Sequence, residues 1–141
     1  MRNIVLILSL TFLIALTAVG EKATYHHVHL RADDTAAAAQ WYADNFGGEA
    51  GKMVVYDVAN FEGVTLIFFP KDQPGVDGSP YPGTLEGSRG SALDHIGWDV
   101  PDVAAKLAEL EANGVEIVSK PLKSGDLFSF AFVRDPWGTD I

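Results

Sequence analysis

Two histidines occupy corresponding points of two similar stretches of sequence, one in each half of the chain. His27 lies within YHHVHL at residues 25–30, and His95 lies within LDHIGW at residues 93–98. Each stretch has a strand-like alternation and is followed by a helix-like segment that ends at glycine. Two such strands placed side by side can direct one imidazole each into a shared cavity, and imidazole nitrogen is a common ligand of divalent transition metals. The pattern therefore indicates a metal site that contains His27 and His95.

The alternation of strand side chains places both histidines away from the apolar side of their strands. Successive side chains of a strand point to opposite faces. The apolar members of the two strands share one predicted face and are Val28, Leu30, Ile96 and Trp98. His27 and His95 then lie on the opposite face, where a solvated or hydrogen-bonded histidine would also lie. His29 and Arg31 share the face of His27 and are candidates for substrate contact, Arg31 because its forked guanidinium suits an anionic group. A partly solvated strand face explains both of them equally well.

The first histidine strand opens a unit that we expect to span residues 25–70. An Asp-Asp-Thr run offers N-cap candidates for a helix over residues 36–45, and a Gly-Gly pair ends this helix. Residues 52–60 and 64–69 are rich in Val, Ile, Tyr and Phe, and they predict two or three strands with Glu62-Gly63 as a hairpin turn. The first unit is therefore strand, helix, strands.

A connector over residues 71–92 separates this unit from a second one, over residues 93–141. The connector holds too much proline and glycine for a regular element, and it is either a plain link or a substrate lid. The second unit repeats the order of the first, because Pro101-Asp102 begins a helix that Asn113-Gly114 ends. The strands predicted after this helix cover residues 115–118 and 127–133, and a further strand starts at Thr139.

Composition limits the class of protein before any motif is weighed. The 141 residues fit one domain, and a hydrophobic content of 48% is ample for a packed core. A formal net charge of -9 without a basic cluster argues against nucleic acid as a partner. Because the chain has no cysteine, any metal must be held by nitrogen and oxygen.

Residues 1–20 have the features of a secretory signal peptide. One positive charge at Arg2 precedes an apolar run, and small residues stand just before Glu21. The run is shorter than the roughly 20 residues that a bilayer span prefers, which disfavours a retained membrane anchor. A buried helix is the remaining alternative. We therefore expect residues 21–141 to be exported, to the periplasm or the exterior, without stable membrane anchoring after cleavage.

The order of these motifs resembles the vicinal oxygen chelate superfamily of glyoxalases, bleomycin resistance proteins and extradiol dioxygenases. The residues that carry the resemblance are the His-Val-x-Leu strand at residues 27–30, Trp41-Tyr42, Asp94-His95-Ile96, and the ending Asp135-Pro136-Trp137-Gly138. The resemblance implies an α+β fold of two βαβββ units. Their mixed sheet would curl around a central cup that holds a divalent metal ion, with His27 and His95 among its ligands.

The family's glutamate ligand normally follows the Asp-Pro-x-Gly turn, in the last strand. The sequence contains Gly138-Thr139-Asp140-Ile141 there and no glutamate, so we expect the native chain to continue for at least one strand. Asp140 is a poor substitute, because we expect it on the face opposite the ligand side. Two histidines and a carboxylate would suit iron, zinc, nickel, manganese or cobalt.

The resemblance also implies the kind of reaction. A metal in this cup would hold a small oxygenated molecule by two of its oxygens, as in glyoxalase-like lyases and isomerases or in dioxygenases. The alternative is a metal-free protein of the same fold that binds and sequesters a small ligand. Subunit pairing is common in such folds, so the resemblance also implies a homodimer.

Overall fold

The structure, a computed structural model, describes residues 23–75, 77–81, 83–125 and 128–141. The predicted signal peptide over residues 1–20 lies outside the described residues. Within the part of the chain that is described, no helix is long and apolar enough to cross a membrane.

The first unit forms one mixed sheet with a helix packed on it. Its elements are β1 (His27–Ala32), α1 (Thr35–Phe46), β2 (Glu49–Met53), β3 (Tyr56–Phe61) and β4 (Val64–Pro70). The strand order is β1-β4-β3-β2, with β1 parallel to β4 and the other neighbours antiparallel. The predicted order of strand, helix and strands is therefore confirmed.

Local capping explains where α1 begins and ends. The side chain of Asp34 accepts a hydrogen bond of 2.9 Å from the backbone N–H of Ala37, which satisfies one of the free donors of the first turn. At the other end, Gly47 takes a left-handed conformation with φ of 78°, a conformation that favours glycine, and its N–H bonds to the carbonyl of Ala43. The predicted helix is correct to within one residue at each end.

The second unit is built from one helix and short strand pairs. Its elements are α2 (Val103–Ala112), β5 (Glu116–Ile117), β6 (Leu122–Ser124), β7 (Phe128–Phe130) and β8 (Val133–Arg134). β5 pairs with β8 and β6 pairs with β7, both antiparallel. Asp102 caps α2 by accepting a hydrogen bond from the N–H of Ala105. The predicted start of this helix at Pro101-Asp102 is confirmed, with Asp102 as its N-cap residue.

Two strand predictions for this unit need correction. The expected strand over residues 127–133 is divided between β7 and β8, because the chain changes pairing partner at Phe132, whose carbonyl bonds to Val118 and Ser119. The strand-like run around His95 has one isolated bridge, between His95 and Asp140. Among the described residues, none forms a ladder with residues 97–100, which are therefore not assigned as a strand.

One hydrophobic core extends through both units. Tyr42 of α1 is fully buried and packs with Leu66 and Phe68 of β4, and the same cluster includes Leu110 of α2 and Ile141. Trp41 and Trp98 are partly buried against this cluster. The architecture is thus α+β, with a curled mixed sheet on which α1 packs, and α2 contributes Leu110 to the shared core.

The turn between β2 and β3 contains a strained residue. Met53 pairs with Tyr56, so Val54 and Val55 form a two-residue hairpin loop, a loop type that requires positive φ at its first residue. Val54 has φ of 58° and is 93% exposed. A β-branched residue is disfavoured in the left-handed region, where the strain is about 1–2 kcal/mol.

We expect Val54→Asn to raise the free energy of unfolding by about 1 kcal/mol, because asparagine tolerates the left-handed conformation and no packing is lost. Urea unfolding of the variant and the parent protein measures this difference. The matched control is Val55→Asn, at an exposed neighbour without positive φ. Equal effects of the two substitutions would contradict strain at Val54.

Candidate functional site

His27 lies at the start of β1, on the sheet face that α1 does not cover. Its parallel partner is Thr65 of β4, and cross-strand partners share a face. The imidazole is exposed, and its Nδ1 lies 2.8 Å from Nδ1 of His26. One nitrogen of this pair donates and the other accepts, so Nε2 of a neutral His27 ring presents its lone pair when Nδ1 of His27 is the donor.

His29 and Arg31 follow His27 along the same face of β1. The ring of His29 packs between His27 and Phe69, with ring centroids 4.8 Å and 4.2 Å apart respectively. Partial burial lowers the pKa of His29, and the nearby charge of His27 lowers it further. The structure therefore shows His29 as a ring that packs against His27 and Phe69. Its contact with a substrate remains a prediction.

Arg31 holds the connector against the end of the sheet. Its Nη1 donates hydrogen bonds of 3.0–3.1 Å to three backbone carbonyls at and just after the end of β4, those of Pro70, Lys71 and Gln73. Its guanidinium also lies 3.5 Å from the ring centroid of Tyr81, a cation–π contact. The structure thus gives Arg31 a positioning role, whereas its binding of an anionic substrate remains a prediction.

His95 forms a hydrogen-bonded pair with the carboxylate that precedes it. Its Nδ1 lies 2.9 Å from Oδ1 of Asp94, and both side chains are about half exposed. A carboxylate only accepts, so Nδ1 carries the proton and Nε2 of a neutral ring presents its lone pair. A hydrogen bond from the N–H of Gly90, and then the bond from His95, lower the pKa of Asp94. The pair therefore fixes one tautomer of His95.

The face of His95 is the one expected from the sequence. Ile96 and Trp98 pack against the core, whereas the ring of His95 meets the edge of Phe132 at a centroid distance of 5.3 Å. In the described part of the chain, no hydrogen bond or ring contact joins His95 to His27. Each imidazole is therefore organised by its own unit.

The prediction that Asp140 lies on the opposite face from the ligand side is wrong. Asp140 is the bridge partner of His95, and bridge partners share a face. The physical reason is that Ile141 enters the core, where it is 8% exposed, so that the preceding side chain must turn to the other face.

The carboxylate of Asp140 is occupied by two arginines. Nε of Arg89 and Nε of Arg134 each donate to it at 2.7 Å, and its side chain is 2% exposed. Burial alone would raise the pKa of Asp140, but the hydrogen bonds from Arg134 and Arg89 outweigh burial and lower it. Asp140 is therefore an ionised structural group that joins the connector to the end of the chain.

We expect Asp140→Asn to lower the free energy of unfolding at pH 7 by about 3 kcal/mol, because the amide leaves two guanidinium groups without their buried partner. The folded-state pKa of Asp140 is lowered, so its stabilisation is present above the unfolded-state pKa of about 3.9 and is lost as pH falls through the folded-state value. The difference between variant and parent should therefore shrink below about pH 4.

Denaturant unfolding of the variant and the parent at a series of pH values from about 3 to about 7 measures the difference between their free energies of unfolding. Glu111→Gln is the matched control, since it removes one exposed carboxylate from α2. A difference between Asp140→Asn and the parent that is independent of pH would contradict the ion pairs as its cause.

The turn Asp135-Pro136-Trp137-Gly138 positions the last three residues. The carboxylate of Asp135 accepts hydrogen bonds from the N–H groups of Trp137 and Thr139 and from the hydroxyl of Tyr42. Burial raises the pKa of Tyr42 well above its usual value, and the charge of Asp135 raises it further. Nε1 of Trp137 donates to Asp33, next to the N-cap of α1. The turn therefore links the two units.

Sequence reasoning did not identify the groups that hold this site in place. Asp94 carried the resemblance only as a neighbour of His95, and Asp135 only as a turn residue. Arg89 and Arg134 were not singled out, because the pattern around a lone arginine does not show which distant carboxylate it meets. The sequence signal that could have prompted a search for such partners is an aspartate, Asp140, two residues after the glycine of a turn and within a predicted strand.

The described residues do not form a complete metal site. Across residues 23–75, 77–81, 83–125 and 128–141, no group of three or more His, Cys, Asp or Glu side chains could hold a metal ion. His27 and His95 offer one free imidazole nitrogen each, and Asp140 is engaged by two arginines. The described donor set is therefore two imidazoles, which fits a divalent transition metal only if further ligands complete it.

A large, mostly apolar cavity lies beside the His95 segment. Its volume is about 550 Å³, and it opens between residues 95–100, α2 and residues 128–133. Its walls are mostly aliphatic and aromatic, with Trp98, Leu107 and Leu110 among them. His95 is among the residues that line this cavity, and His27 is not.

The family model described as the Glyoxalase/Bleomycin resistance protein/Dioxygenase superfamily matches residues 24–141. This match covers most of the chain, and the chain belongs to this superfamily. No curated protein matches the sequence.

Solved structures share the fold at low sequence identity. TioX from Micromonospora sp. ML1 is 18% identical with a TM-score of 0.63, over 84% of this chain and 94% of that one. A lactoylglutathione lyase from Agrobacterium tumefaciens is 20% identical with a TM-score of 0.59, over 85% and 91%. The oxidase ChaP-H2 is 16% identical with a TM-score of 0.56, also over 85% and 91%. These likenesses establish the fold.

Proposed function

We propose that the protein is a divalent-metal-dependent enzyme that acts on a small oxygenated molecule, with His27 and His95 as metal ligands. The observation that carries this proposal is the pair formed by Asp94 and His95, with 2.9 Å between Oδ1 and Nδ1. Histidines that bind metals usually donate their second ring N–H to a carboxylate or carbonyl, which fixes the tautomer and raises the basicity of the ligating nitrogen. His95 is prepared in this way.

The placement of His27 supports the same role. It stands at the corresponding point of the first unit, on the uncovered face of its strand, with its Nδ1 already in a hydrogen bond. Superfamily members are often metal-dependent enzymes, and the neighbours include a lactoylglutathione lyase and an oxidase. Iron, zinc, nickel and manganese all suit imidazole ligands.

A metal bound here would supply Lewis-acid polarisation of substrate oxygens, in a lyase, isomerase or dioxygenase reaction. The protein's own residues would orient the histidines that bind the metal. Asp94 holds the ring of His95 through Nδ1, and Gly90 holds the carboxylate of Asp94 through its N–H. We further propose export by the signal peptide over residues 1–20, and pairing of subunits into a homodimer.

A second candidate function is metal-free binding of a small ligand by the same fold. It is favoured by the engagement of Asp140 with Arg89 and Arg134, which leaves this carboxylate unavailable to a metal. It is also consistent with the described residues holding no group of three ligands. Metal binding by the protein distinguishes the two functions.

We expect the protein to take up a divalent metal at near-stoichiometric level, and His27→Ala and His95→Ala each to weaken binding by more than about 10-fold, because each removes one ligand. Equilibrium dialysis against zinc, nickel, manganese and anaerobic iron(II), followed by elemental analysis, measures this. His29→Ala is the control, because His29 lies beside His27 on the same face.

No uptake of any of the four metals by the parent protein would favour the metal-free function. An equal loss in His29→Ala and His27→Ala, with no loss in His95→Ala, would place the metal on the histidines of β1 alone.

We also expect Asp94→Asn to weaken metal binding by about 10–100-fold without removing a ligand, since the amide no longer fixes the tautomer of His95. Competition with a chromophoric chelator gives the dissociation constant. Asp99→Asn, an exposed aspartate of the same segment, removes the same charge and should leave binding within about 2-fold. Equal effects of the two substitutions would mean that net charge, and not the hydrogen bond to His95, controls affinity.

A further inference from the structure

The outer edge of β2 has no partner among the described strands. β2 is the last strand in the order β1-β4-β3-β2, and all five of its residues are exposed. Met53 and Tyr56 flank the two-residue hairpin loop and exchange hydrogen bonds, as does every second residue pair along this ladder. The N–H and C=O groups of Ala50 and Lys52 therefore point away from β3, along a free edge of the sheet.

Gly51 lies between these two residues, and the described part of the chain does not require glycine there. Gly51 lacks the positive φ that favours glycine, and a Cβ atom added to it would meet no atom within 4 Å. By contrast, a Cβ atom on Gly48 would come within 2.7 Å of the ring of Phe61. Glycine inside a strand weakens the strand and often marks the close approach of another backbone. A second backbone beside Gly51 would explain it.

The free edge of β2 is complementary to a second copy of itself. When two copies run antiparallel with their Gly51 residues opposite each other, Ala50 of each copy lies opposite Lys52 of the other. Each such pair exchanges two hydrogen bonds, so the outward backbone groups of both residues are satisfied. The two Gly51 residues then form a pair without hydrogen bonds, in which the Cα atoms are only about 4.5 Å apart. Glycine permits this approach.

The charges of β2 are compatible with the same pairing. Nζ of Lys52 lies 2.7 Å from Oδ1 of Asp57, so each lysine carries its own counter-ion into the contact. On the other face, Glu49 of one copy lies opposite Met53 of the other, where its methylene groups can pack against a side chain that is 36% exposed. Like charges directly opposite each other destabilise a strand pair, and this register has none along β2.

We propose that the free edge of β2 is the contact surface for a second copy of this chain, which joins two four-stranded sheets about a two-fold axis at Gly51. This inference rests on the homodimer proposed above, whose contact surface it specifies, and it does not depend on a bound metal. The pairing covers a strand edge, a feature that native proteins generally protect. One strand pair buries a small area, so the dimer is reversible.

The sequence contains no cysteine, so disulfide cross-linking is a clean test of this register. Gly51→Cys brings one thiol of each copy to the two-fold axis, with Cα atoms at about the distance that a disulfide spans. We expect an interchain disulfide to form at least about 10-fold faster in this variant than in Glu49→Cys or Met53→Cys alone, because those positions lie more than about 10 Å from their own copies. Mixing Glu49→Cys with Met53→Cys should give the heterodimer, since these two positions lie opposite each other.

A second variant tests the hydrogen bonds of the edge. Ala50→Pro removes an outward N–H, and proline is tolerated at such positions of an edge strand. We expect it to weaken dimerisation by at least about 10-fold, because the symmetric dimer loses one hydrogen bond on each side. Ala50→Val is the matched control, since it keeps the N–H and should stay within about 3-fold of the parent. Sedimentation equilibrium over a series of protein concentrations gives the dimerisation constants, and circular dichroism checks that each variant is folded.

Equal rates of cross-linking in the three cysteine variants would overturn the proposal, because they would indicate random collision. A dimer that persists in Ala50→Pro, with no cross-linking in Gly51→Cys, would also overturn it and would place the homodimer contact on another surface. A parent protein that stays monomeric at every concentration would overturn both this contact and the homodimer, and would leave the edge to a strand of a different protein. The uptake of metal, measured separately, is independent of these outcomes.

Discussion

The buried carboxylate of Asp135 is the interaction on which the second half of the fold depends. It is 4% exposed and accepts three hydrogen bonds, from the hydroxyl of Tyr42 and from the N–H groups of Trp137 and Thr139. An isolated buried carboxylate is strongly unfavourable, so the turn forms only when these donors are in place. Because Tyr42 belongs to α1, the packing of the first unit contributes to the direction in which residues 139–141 run along His95.

The buried aspartates Asp135 and Asp140 have different structural roles. Asp135 binds backbone groups and orients the turn, whereas Asp140 binds Arg89 and Arg134 and so ties the connector to β8. Both carboxylates are engaged in these hydrogen bonds. The imidazole of His27 is exposed and that of His95 is about half exposed, so both are accessible to a ligand.

Much of the fold could be predicted from the sequence because its signals are local. Asp34 and Gly47 define α1, and Asp102 defines the start of α2, through caps that involve neighbouring residues only. The faces of His95 and Ile96 followed from strand alternation. The partners of Asp140 could not be predicted, since Arg89 lies far away in an irregular connector. The face of Asp140 was misjudged because it is decided by the burial of Ile141, which is a tertiary effect.

His95, the proposed metal ligand, is positioned by few contacts. Its backbone is held by the bridge to Asp140, and its ring by Asp94, while the following residues 97–100 have no ladder among the described strands. Functional groups must be held to within roughly 0.5 Å to be effective. The hydrogen bond from Nδ1 to Asp94, whose carboxylate is itself held by the N–H of Gly90, is therefore the contact on which the orientation of the His95 ring most depends.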